Sequence, residues 1–362
     1  MIIGSVCENK ATEKRISVTP DNVKKFVSNG FKVYLEKNYG DHLDIDDQKF
    51  LENGAEFFSD KEKIIKESDI LLQLNLPDEK DLKNLAPNKN LVGVFDPINN
   101  RDSISKLAKN NINVFSLELL PRITRAQSMD ILSSQANLAG YKAVVDAFSF
   151  FNKAIPMMMT AAGTVPAAKV LVVGAGVAGL QAIATAKRMG AIVFATDVRM
   201  ASKEQVESLG GKFLVVEGSE NLETSGGYAK ETSVEFKKKQ ENLLKETLKK
   251  IDITICTALI PGKKAPIIIK GDMIDVMQKG SIIYDLAASQ GGNTEFTKAD
   301  EIVDIKGVKI LGDSNLLNKL PISASNLYSK NLLNFVINLY DREKKKININ
   351  LEDEIIKKTL VK

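Results

Sequence analysis

The stretch that decides the fold is Lys169-Val-Leu-Val-Val-Gly-Ala-Gly-Val-Ala-Gly179. Val170 to Val173 form an apolar run without alternation, which is typical of a parallel strand covered on both faces. Gly174, Gly176 and Gly179 match the spacing G-x-G-x-x-G. In that motif the first glycine permits a tight turn, the second lets a pyrophosphate approach the backbone, and the third lets a helix pack against the strand. The stretch therefore predicts a strand, a phosphate-binding turn and a helix.

The residues after this turn continue the same unit. A helix is predicted over Leu180 to Met189, and Gly190 is a residue type that commonly follows a helix end. A second strand is predicted over Ala191 to Thr196, and Asp197 follows it directly. This acid lies 23 residues past the first motif glycine, close to the spacing of an acid that binds the ribose diol of NAD. Although three glycines alone also fit an ordinary turn, these elements in this order predict dinucleotide binding.

The composition excludes several classes of protein. The chain has 362 residues, enough for two domains, and 44% of them are hydrophobic and 27% charged. A formal net charge of +4 without an aromatic and basic stripe argues against a nucleic-acid partner. No uninterrupted apolar run reaches the roughly 18 to 20 residues of a membrane helix, and Met1 to Glu8 predict a strand, not a signal peptide. We therefore expect a soluble, cytoplasmic protein.

Side chains that commonly act as nucleophiles, metal ligands or bases are scarce. Cys7 and Cys256 lie far apart without metal-ligand spacing, so we expect reduced, buried thiols and no metal site. The single histidine, His42, lies in a loop remote from the glycine motif. Oxidation of an alcohol or amine releases a proton that a positioned base normally takes, whereas direct hydride transfer between two nicotinamide rings breaks no O–H or N–H bond. The scarcity of histidine is therefore compatible with hydride transfer between two nucleotides.

The first third of the chain alternates strands and helices but lacks a glycine motif. A helix is predicted from Thr19, with Pro20 at its first position and Gly30 after its end. Further elements are predicted as strands over 32–35, 70–74, 91–95 and 113–117 and as a helix over 104–110. This alternation predicts a parallel α/β domain that resembles a nucleotide-binding fold without its phosphate-binding turn.

The rest of the chain predicts a second domain of the same class. A long helix over Ser133 to Asn152 carries alanines at helical spacing and leads into the glycine motif. After the motif, strands are predicted over Lys212–Val216, Ile251–Cys256 and Ser281–Asp285. An amphipathic helix over Asn326–Tyr340 is expected to return the chain to the first domain, where the lysine-rich tail adds a strand or hairpin.

The predicted fold class is therefore α/β, with two Rossmann-like doubly wound parallel-sheet domains joined by long helices. Residues 1–132 and 319–362 are expected to form an N-terminal Rossmann-like domain completed by the C-terminal segment. Residues 133–318 are expected to form the NAD(H)-binding domain.

Three loops are candidates for the chemistry. Pro121 to Asp130 place two arginines, a glutamine and an aspartate before the long helix, where they can line a cleft or merely cap the helix and add surface charge. Ser225 to Lys230 combine paired glycines with a tyrosine, as in a mobile lid or in a plain exposed loop. Ala258 to Gly262 follow the fourth predicted strand of the nucleotide domain, at the edge where the nicotinamide end of a dinucleotide lies.

The first of these loops resembles a known family. Residues 121–141, Pro-Arg-Ile-Thr-Arg-Ala-Gln-Ser-Met-Asp-Ile-Leu-Ser-Ser-Gln-Ala-Asn-Leu-Ala-Gly-Tyr, closely resemble the signature of the NAD(H)-binding domain of proton-translocating nicotinamide nucleotide transhydrogenase. Met157–Pro166, Gly176–Lys187 and Gly226–Glu231 match as well. The resemblance covers essentially the whole chain, and we expect the separate, soluble alpha-1 type of subunit because the chain ends without membrane helices.

The resemblance implies a set of site residues. Arg122, Gln127 and Asp130, with Ser133 close by, are expected to hold the nicotinamide of NAD(H). Gln127 is expected to reach toward the nicotinamide of NADP(H) on a partner subunit. The residues expected to bind NAD(H) are Gly174, Gly176, Val177, Ala178, Gly179, Asp197, Val198, Tyr228, Ala258 and Leu259. Of these, Tyr228 corresponds to the tyrosine of a mobile loop, here about 223–232, that folds over bound nucleotide.

The resemblance also implies an assembly. The family transfers hydride between NADH and NADP+ bound on another subunit, and couples this transfer to proton movement through a membrane subunit. We therefore expect a homodimer docked on an NADP(H)-binding beta subunit and a membrane-spanning alpha-2 subunit. The protein would then be cytoplasmic and attached peripherally to the inner membrane, with no role for nucleic acid.

Two alternatives stay open. Alanine dehydrogenase shares the fold and the pattern Lys14-Arg-Ile-Ser-Val-Thr-Pro20. Ungapped matching places Asn75, Asp96 and Ser289 where that enzyme needs a substrate-binding lysine, a catalytic histidine and a catalytic aspartate, while Arg15 is retained as a structural residue or a relic. The other alternative is a catalytically silent NAD-sensing or scaffold protein, which turnover with a partner present would distinguish from an enzyme.

Overall fold

The computed structural model describes residues 1–216, 234–259 and 263–361. The chain divides into two compact units, and each is described by itself. Unit 1 comprises Met1–Gln135 and Leu317–Lys362, and unit 2 comprises Ala136–Leu316.

The strands and helices of the described residues are defined as follows. The strands are β1 Ile2–Ser5, β2 Lys32–Glu36, β3 Ala55–Phe58, β4 Ile70–Leu72, β5 Asn90–Gly93, β6 Asn113–Ser116, β7 Met158–Thr160, β8 Gly163–Val165, β9 Lys169–Val173, β10 Ile192–Thr196, β11 Lys212–Phe213, β12 Ile253–Cys256, β13 Ile282–Asp285, β14 Glu301–Ile305, β15 Val308–Gly312, β16 Tyr340–Asp341, β17 Lys346–Ile347 and β18 Leu360–Val361. The helices are α1 Pro20–Ser28, α2 Asp47–Leu51, α3 Lys61–Glu67, α4 Glu79–Leu82, α5 Arg101–Lys109, α6 Ile131–Phe150, α7 Val177–Arg188, α8 Ser202–Ser208, α9 Val234–Leu248, α10 Gly271–Ile274, α11 Pro321–Leu339 and α12 Glu354–Thr359. Short 3-10 turns lie at Asp41–Leu43, Leu117–Leu119, Thr124–Met129, Ala288–Gln290 and Leu316–Lys319.

Unit 1 is built on a seven-stranded sheet in the order β18-β6-β5-β4-β1-β2-β3. The strand pairs are parallel except for β18 with β6, which is antiparallel. Read from the β3 edge, the six parallel strands follow the 3-2-1-4-5-6 order of a Rossmann sheet. The lysine-rich tail forms the β16–β17 hairpin and the edge strand β18, which confirms the prediction for this segment.

Unit 2 contains the second seven-stranded sheet, in the order β11-β10-β9-β12-β13-β15-β14. β9 is central, with β10 and β12 paired to it in parallel on either side, and β14 runs antiparallel to β15 at the edge. The order again contains 3-2-1-4-5-6, so the predicted class of two Rossmann-like sheets is confirmed. In such sheets ligands bind at the carboxyl edge where the strand order reverses, which in unit 2 lies between β9 and β12.

The central strand of unit 2 is buried on both faces. Val170 and Val172 pack with side chains of α6 and α7, including Ala143. Leu171 and Val173 pack on the opposite face with side chains of α9 and α10. The run is apolar without alternation because helices cover both faces of the parallel sheet.

Three predicted elements have different bounds in the structure. The strand predicted over Lys212–Val216 is only the two-residue β11, because this edge strand pairs with β10 alone. α7 begins at Val177 instead of Leu180, since the third motif glycine lies inside the first helical turn. α11 begins at Pro321 instead of Asn326, because proline is compatible with the first turn of a helix. The ends of the other predicted strands and helices shift by at most about three residues, an ordinary uncertainty for element ends.

Candidate functional site

The glycine-motif turn follows β9 at the carboxyl edge of the unit 2 sheet. Gly174 has a φ of +96°, which a residue with a side chain adopts only with strain. A Cβ at Gly179 would lie 1.9 Å from the carbonyl oxygen of Gly174, so only glycine lets α7 pack this closely. A Cβ at Gly176 would meet nothing within 4 Å. The first and third glycines are therefore needed by the fold, whereas the second leaves room for a ligand.

The N-terminus of α7 lies at this open position. Gly176 is the N-cap of the helix, and no side chain of the described residues caps it. The first N–H groups of a helix, here those of Val177, Ala178 and Gly179, have no acceptor within the helix. Together with the helix dipole they favour an anion, and Val177 is 39% exposed. These backbone groups fit the pyrophosphate of a dinucleotide.

Asp197 follows β10, and its carboxylate binds back to the glycine turn. Its Oδ2 accepts hydrogen bonds from the Ala175 N–H at 2.7 Å and from Arg199 Nη2 at 2.8 Å. Its Oδ1 accepts from the N–H and Nε of Arg199, both at 2.9 Å. Because the carboxylate offers about four acceptor positions, a ribose diol would have to replace the Arg199 guanidinium. Val198, half-buried, completes this turn.

Asn293 holds the start of the loop after β12, and the sequence analysis missed it. Its Oδ1 accepts from the Ala258 N–H at 3.1 Å, and its Nδ2 donates to the carbonyl oxygens of Ala258 at 2.8 Å and Pro266 at 2.9 Å. Asn293 is fully buried. The only local signal was the preceding glycine pair, Gly291 and Gly292, which marks a turn and not a hydrogen-bonding role.

Two further side chains support the same edge of the sheet. Asp285, at the end of β13, accepts from the Asn293 N–H at 2.6 Å, and burial raises the pKa of its carboxyl group. Thr257 donates from Oγ1 to the carbonyl oxygen of Gly174 at 2.9 Å, which ties the ends of β9 and β12 together. Ala258 and Leu259, the predicted contacts of the nicotinamide end, follow Thr257 and are half-buried at this edge.

The polar loop of unit 1 combines a helix cap with exposed side chains. Asp130 accepts from the Ser133 N–H at 2.9 Å and from Ser133 Oγ at 2.5 Å, and thereby caps α6. Arg122 and Gln127 are exposed. The Gln127 side chain makes no hydrogen bond with any described residue of unit 1. The helix-capping interpretation is thus confirmed for Asp130, and Gln127 remains available to bind a ligand.

The residues that bear on the alanine dehydrogenase alternative have internal partners or are exposed. Arg15 donates from Nε and Nη2 to both carboxylate oxygens of Glu13, at 2.8 and 2.6 Å, and from Nη1 to Gln135 at 3.0 Å. Asn75 is exposed and donates to Glu8 at 3.2 Å, and Asp96 is exposed as well. These contacts account for the retention of Arg15 as a structural residue.

The remaining candidates lie away from the glycine turn or outside the described residues. His42 contacts the carbonyl oxygen of Lys14 at 2.8 Å in unit 1. Both cysteines are free thiols, and burial is the main cause that raises the pKa of Cys7 to about 12. Tyr228 and the predicted lid, about 223–232, lie outside the described residues. Within the described ranges, no three His, Cys, Asp or Glu side chains are arranged to hold a metal ion, and no helix could cross a membrane.

Comparison with known proteins gives consistent matches over the whole length. The model "Alanine dehydrogenase/PNT, N-terminal domain" matches residues 4–139, and "Alanine dehydrogenase/PNT, C-terminal domain" matches residues 143–362. The chain is 47% identical over 361 residues to an NAD(P) transhydrogenase subunit alpha chain of Rhodospirillum rubrum, covering 98% of this chain and 94% of that protein. It is 23% identical over 356 residues to alanine dehydrogenase 1 of Staphylococcus aureus, covering 94% and 88%.

Solved structures give the same order of similarity. The crystal structure of transhydrogenase from Sinorhizobium meliloti superposes with a TM-score of 0.89 at 43% identity, covering 99% of this chain and 98% of that one. An L-alanine dehydrogenase structure superposes with a TM-score of 0.82 at 20% identity, covering 99% and 94%. The second likeness indicates a shared fold alone.

Proposed function

The chain belongs to the alanine dehydrogenase/PNT family and, within it, to the NAD(P) transhydrogenase alpha subunits, and we propose that it is the NAD(H)-binding subunit of a proton-translocating, Re/Si-specific transhydrogenase. In this proposal the chain binds NAD(H), and hydride passes between NADH and NADP+ bound on a partner subunit. The observation that carries the proposal is the open position at Gly176, at the N-terminus of α7 and next to the Asp197 turn, on the carboxyl edge of the unit 2 sheet.

Each portion of the nucleotide has candidate contacts in the described residues. The backbone of the turn and of the first residues of α7 would hold the pyrophosphate, and Asp197 with Val198 would hold the adenosine ribose. Ala258 and Leu259 would border the nicotinamide end. Tyr228, outside the described residues, is proposed as the cover of bound nucleotide.

The polar loop is proposed to orient the reacting ring. Bound NAD(H) supplies the hydride, so this chain needs to position a carboxamide and exclude competing reactions, not to remove a proton. Gln127 is uncharged and has both an amide donor and an acceptor, which suits a carboxamide partner. Arg122, Asp130 and Ser133 are proposed to complete the contacts of the nicotinamide. Asp130 already caps α6, so the loop's backbone is ordered before any ligand binds.

Alanine dehydrogenase is the less favoured function. The identity to an enzyme of that name is 23%, against 47% for the transhydrogenase subunit. Asn75, Asp96 and Ser289 cannot together supply a cationic carboxylate ligand, a neutral imidazole base and an acid. Arg15, which would bind a substrate carboxylate, is already paired with Glu13.

The proposed assembly is a homodimer that docks on an NADP(H)-binding beta subunit and a membrane-spanning alpha-2 subunit, at the cytoplasmic face of the inner membrane. The β7–β8 hairpin supports a contact with a second copy. Met157, Met158 and Met159 on this hairpin are 62%, 41% and 83% exposed. An isolated two-stranded hairpin is marginally stable, and contiguous exposed apolar side chains mark interaction surfaces.

The test is turnover with and without the NADP(H)-binding subunit. We expect hydride transfer from NADH to NADP+ only when that subunit is added, and negligible oxidation of L-alanine by the chain alone. The variant Gln127→Asn withdraws the amide by roughly 1.5 Å, the length of one carbon–carbon bond. Since a misplacement of about 1 Å can cost on the order of 100-fold, the rate should fall far more than the affinity for NADH.

Gln48→Asn serves as the control for this substitution, because Gln48 lies on α2, far in sequence from the polar loop. Rapid alanine oxidation by the chain alone would contradict the proposal. So would a Gln127→Asn variant that transfers hydride at the rate of the unmodified protein.

A further inference from the structure

Two asparagines of α11 bind the backbone next to Gln127. Nδ2 of Asn331 donates to the carbonyl oxygen of Ser128 at 2.9 Å, and Nδ2 of Asn334 donates to the same oxygen at 3.0 Å. Residues three apart lie on one side of a helix, so one face of α11 presents both amides. A backbone carbonyl oxygen has two lone pairs. Both are used here, and the peptide directly after Gln127 is therefore fixed to α11.

The orientation of the Asn331 amide is determined by a third hydrogen bond. Its Oδ1 accepts from Ser134 Oγ at 2.7 Å, so its Nδ2 must face Ser128. Asn331 is only 6% exposed, and water has little access to this contact. Ser134 in turn donates its N–H to the carbonyl oxygen of Asp130 at 3.2 Å. α11 thus holds the segment from Ser128 to the first turn of α6 at both ends.

The other side of the same turn is fixed by an ion pair. Arg125 donates from both terminal nitrogens to the carboxylate of Asp353, from Nη1 at 3.0 Å. Asp353 is the N-cap residue of α12 and accepts from the Ile355 N–H at 2.9 Å. The turn at Thr124–Met129 therefore has a fixed backbone, while the Gln127 side chain is exposed.

We propose that Asn331 and Asn334 are positioning residues, which set where the Gln127 amide points during hydride transfer. The inference rests on the role proposed for Gln127 above. Neither asparagine needs to touch a nucleotide, because each acts through the Ser128 carbonyl. A displacement of the reacting groups by about 1 Å can cost on the order of 100-fold in rate, and a peptide held by two donors is displaced fully only when both are lost.

The experiment removes the two donors singly and together. Asn331→Asp keeps an oxygen for Ser134 but removes the donor to Ser128, and Asn334→Ala removes the second donor. We expect each single variant to slow single-turnover hydride transfer, with the NADP(H)-binding subunit present, by about 10-fold or less, and the double variant by about 100-fold. The affinity for NADH should change by less than about twofold, because the pyrophosphate and ribose contacts lie in unit 2. A merely structural role would lower both quantities or neither.

A second readout does not depend on the partner subunit. Backbone hydrogen exchange of residues 124–130 in the chain alone should be faster in the double variant, by about 10-fold or more. Asn334→Gln keeps an amide donor on a longer side chain and should recover some of the transfer rate. Asn326→Ala, at an exposed position of the same helix, is the control and should match the unmodified protein in every measurement.

The outcomes separate the inference from the proposed function. If the double variant transfers hydride at the normal rate, the inference is wrong, whatever its hydrogen exchange, and the transhydrogenase function stands. If the double variant does not fold, Asn334→Ala and Asn334→Gln decide, since Asn334 is only half-buried. If the unmodified protein transfers no hydride with its partner, the proposed function fails and the positioning role fails with it.

Discussion

Replacing the second or the third motif glycine by alanine should have opposite consequences for folding and for binding. In Gly179→Ala the new Cβ lies 1.9 Å from the Gly174 carbonyl oxygen, whereas 3.4 Å is the lower limit of ordinary van der Waals contact. The obstructing atom belongs to the backbone and cannot rotate away. Either α7 or the turn must therefore move by about 1.5 Å, in a region where packing is dense.

The magnitude follows from two opposing effects. Overpacking against a rigid neighbour costs about 3 kcal/mol, and replacing glycine by alanine inside a helix returns about 1 kcal/mol. The net loss of about 2 kcal/mol should lower the melting temperature by about 4 to 8 °C for a unit of this size. Gly176→Ala meets no atom within 4 Å. As a replacement at an N-cap it should cost less than about 1 kcal/mol, but its methyl group occupies the space proposed for the pyrophosphate.

The assay is thermal unfolding followed by titration with NADH. We expect Gly179→Ala to melt several degrees lower, and Gly176→Ala to melt near the unmodified protein while binding NADH at least about 10-fold more weakly. Gly280→Ala is a matched control for a glycine without neighbours within 4 Å, although its φ of +87° should itself lower stability slightly. A Gly179→Ala variant as stable as the unmodified protein would refute the packing argument. Normal NADH binding by Gly176→Ala would refute the placement of the pyrophosphate.

Three further predictions concern other described residues. Asn293→Ala leaves the N–H and carbonyl of Ala258 without their buried partner, so it should lower the free energy of unfolding by about 3 kcal/mol or more in urea titration; no change in midpoint would contradict this clamp. Burial raises the pKa of Cys7 to about 12, and Cys256 is fully buried. At pH 8 both thiols should therefore label with a thiol reagent only after unfolding, because about one Cys7 thiol in 10,000 is ionised, and rapid labelling of the folded protein would show the opposite. Finally, Asp197 should favour NADH over NADPH in a binding titration, since a carboxylate repels a 2′-phosphate; equal affinities would exclude this role.

The sequence by itself determined the fold class and the position of the nucleotide turn. Val170 to Val173 had to be covered on both faces, because exposing such a run to water is unfavourable. The spacing of the three glycines and the acid at Asp197 is a local property of some thirty residues, and short-range patterns of this kind are readable without a structure. The ends of helices and strands were less well determined, as at α7 and α11, because capping and fraying shift them by a few residues.

Only the tertiary structure decided which side chains hold these loops in place. Asn331 and Ser128 are 203 positions apart, and Asn293 and Ala258 are 35 apart. No periodicity links such pairs, because side-chain hydrogen bonds of this kind form only where packed helices and strands bring distant segments together. The pairing of Asp197 with Arg199 has the same physical basis at short range. Two residues of opposite charge can each face solvent or each other, and the path of the backbone after β10 turns them toward each other.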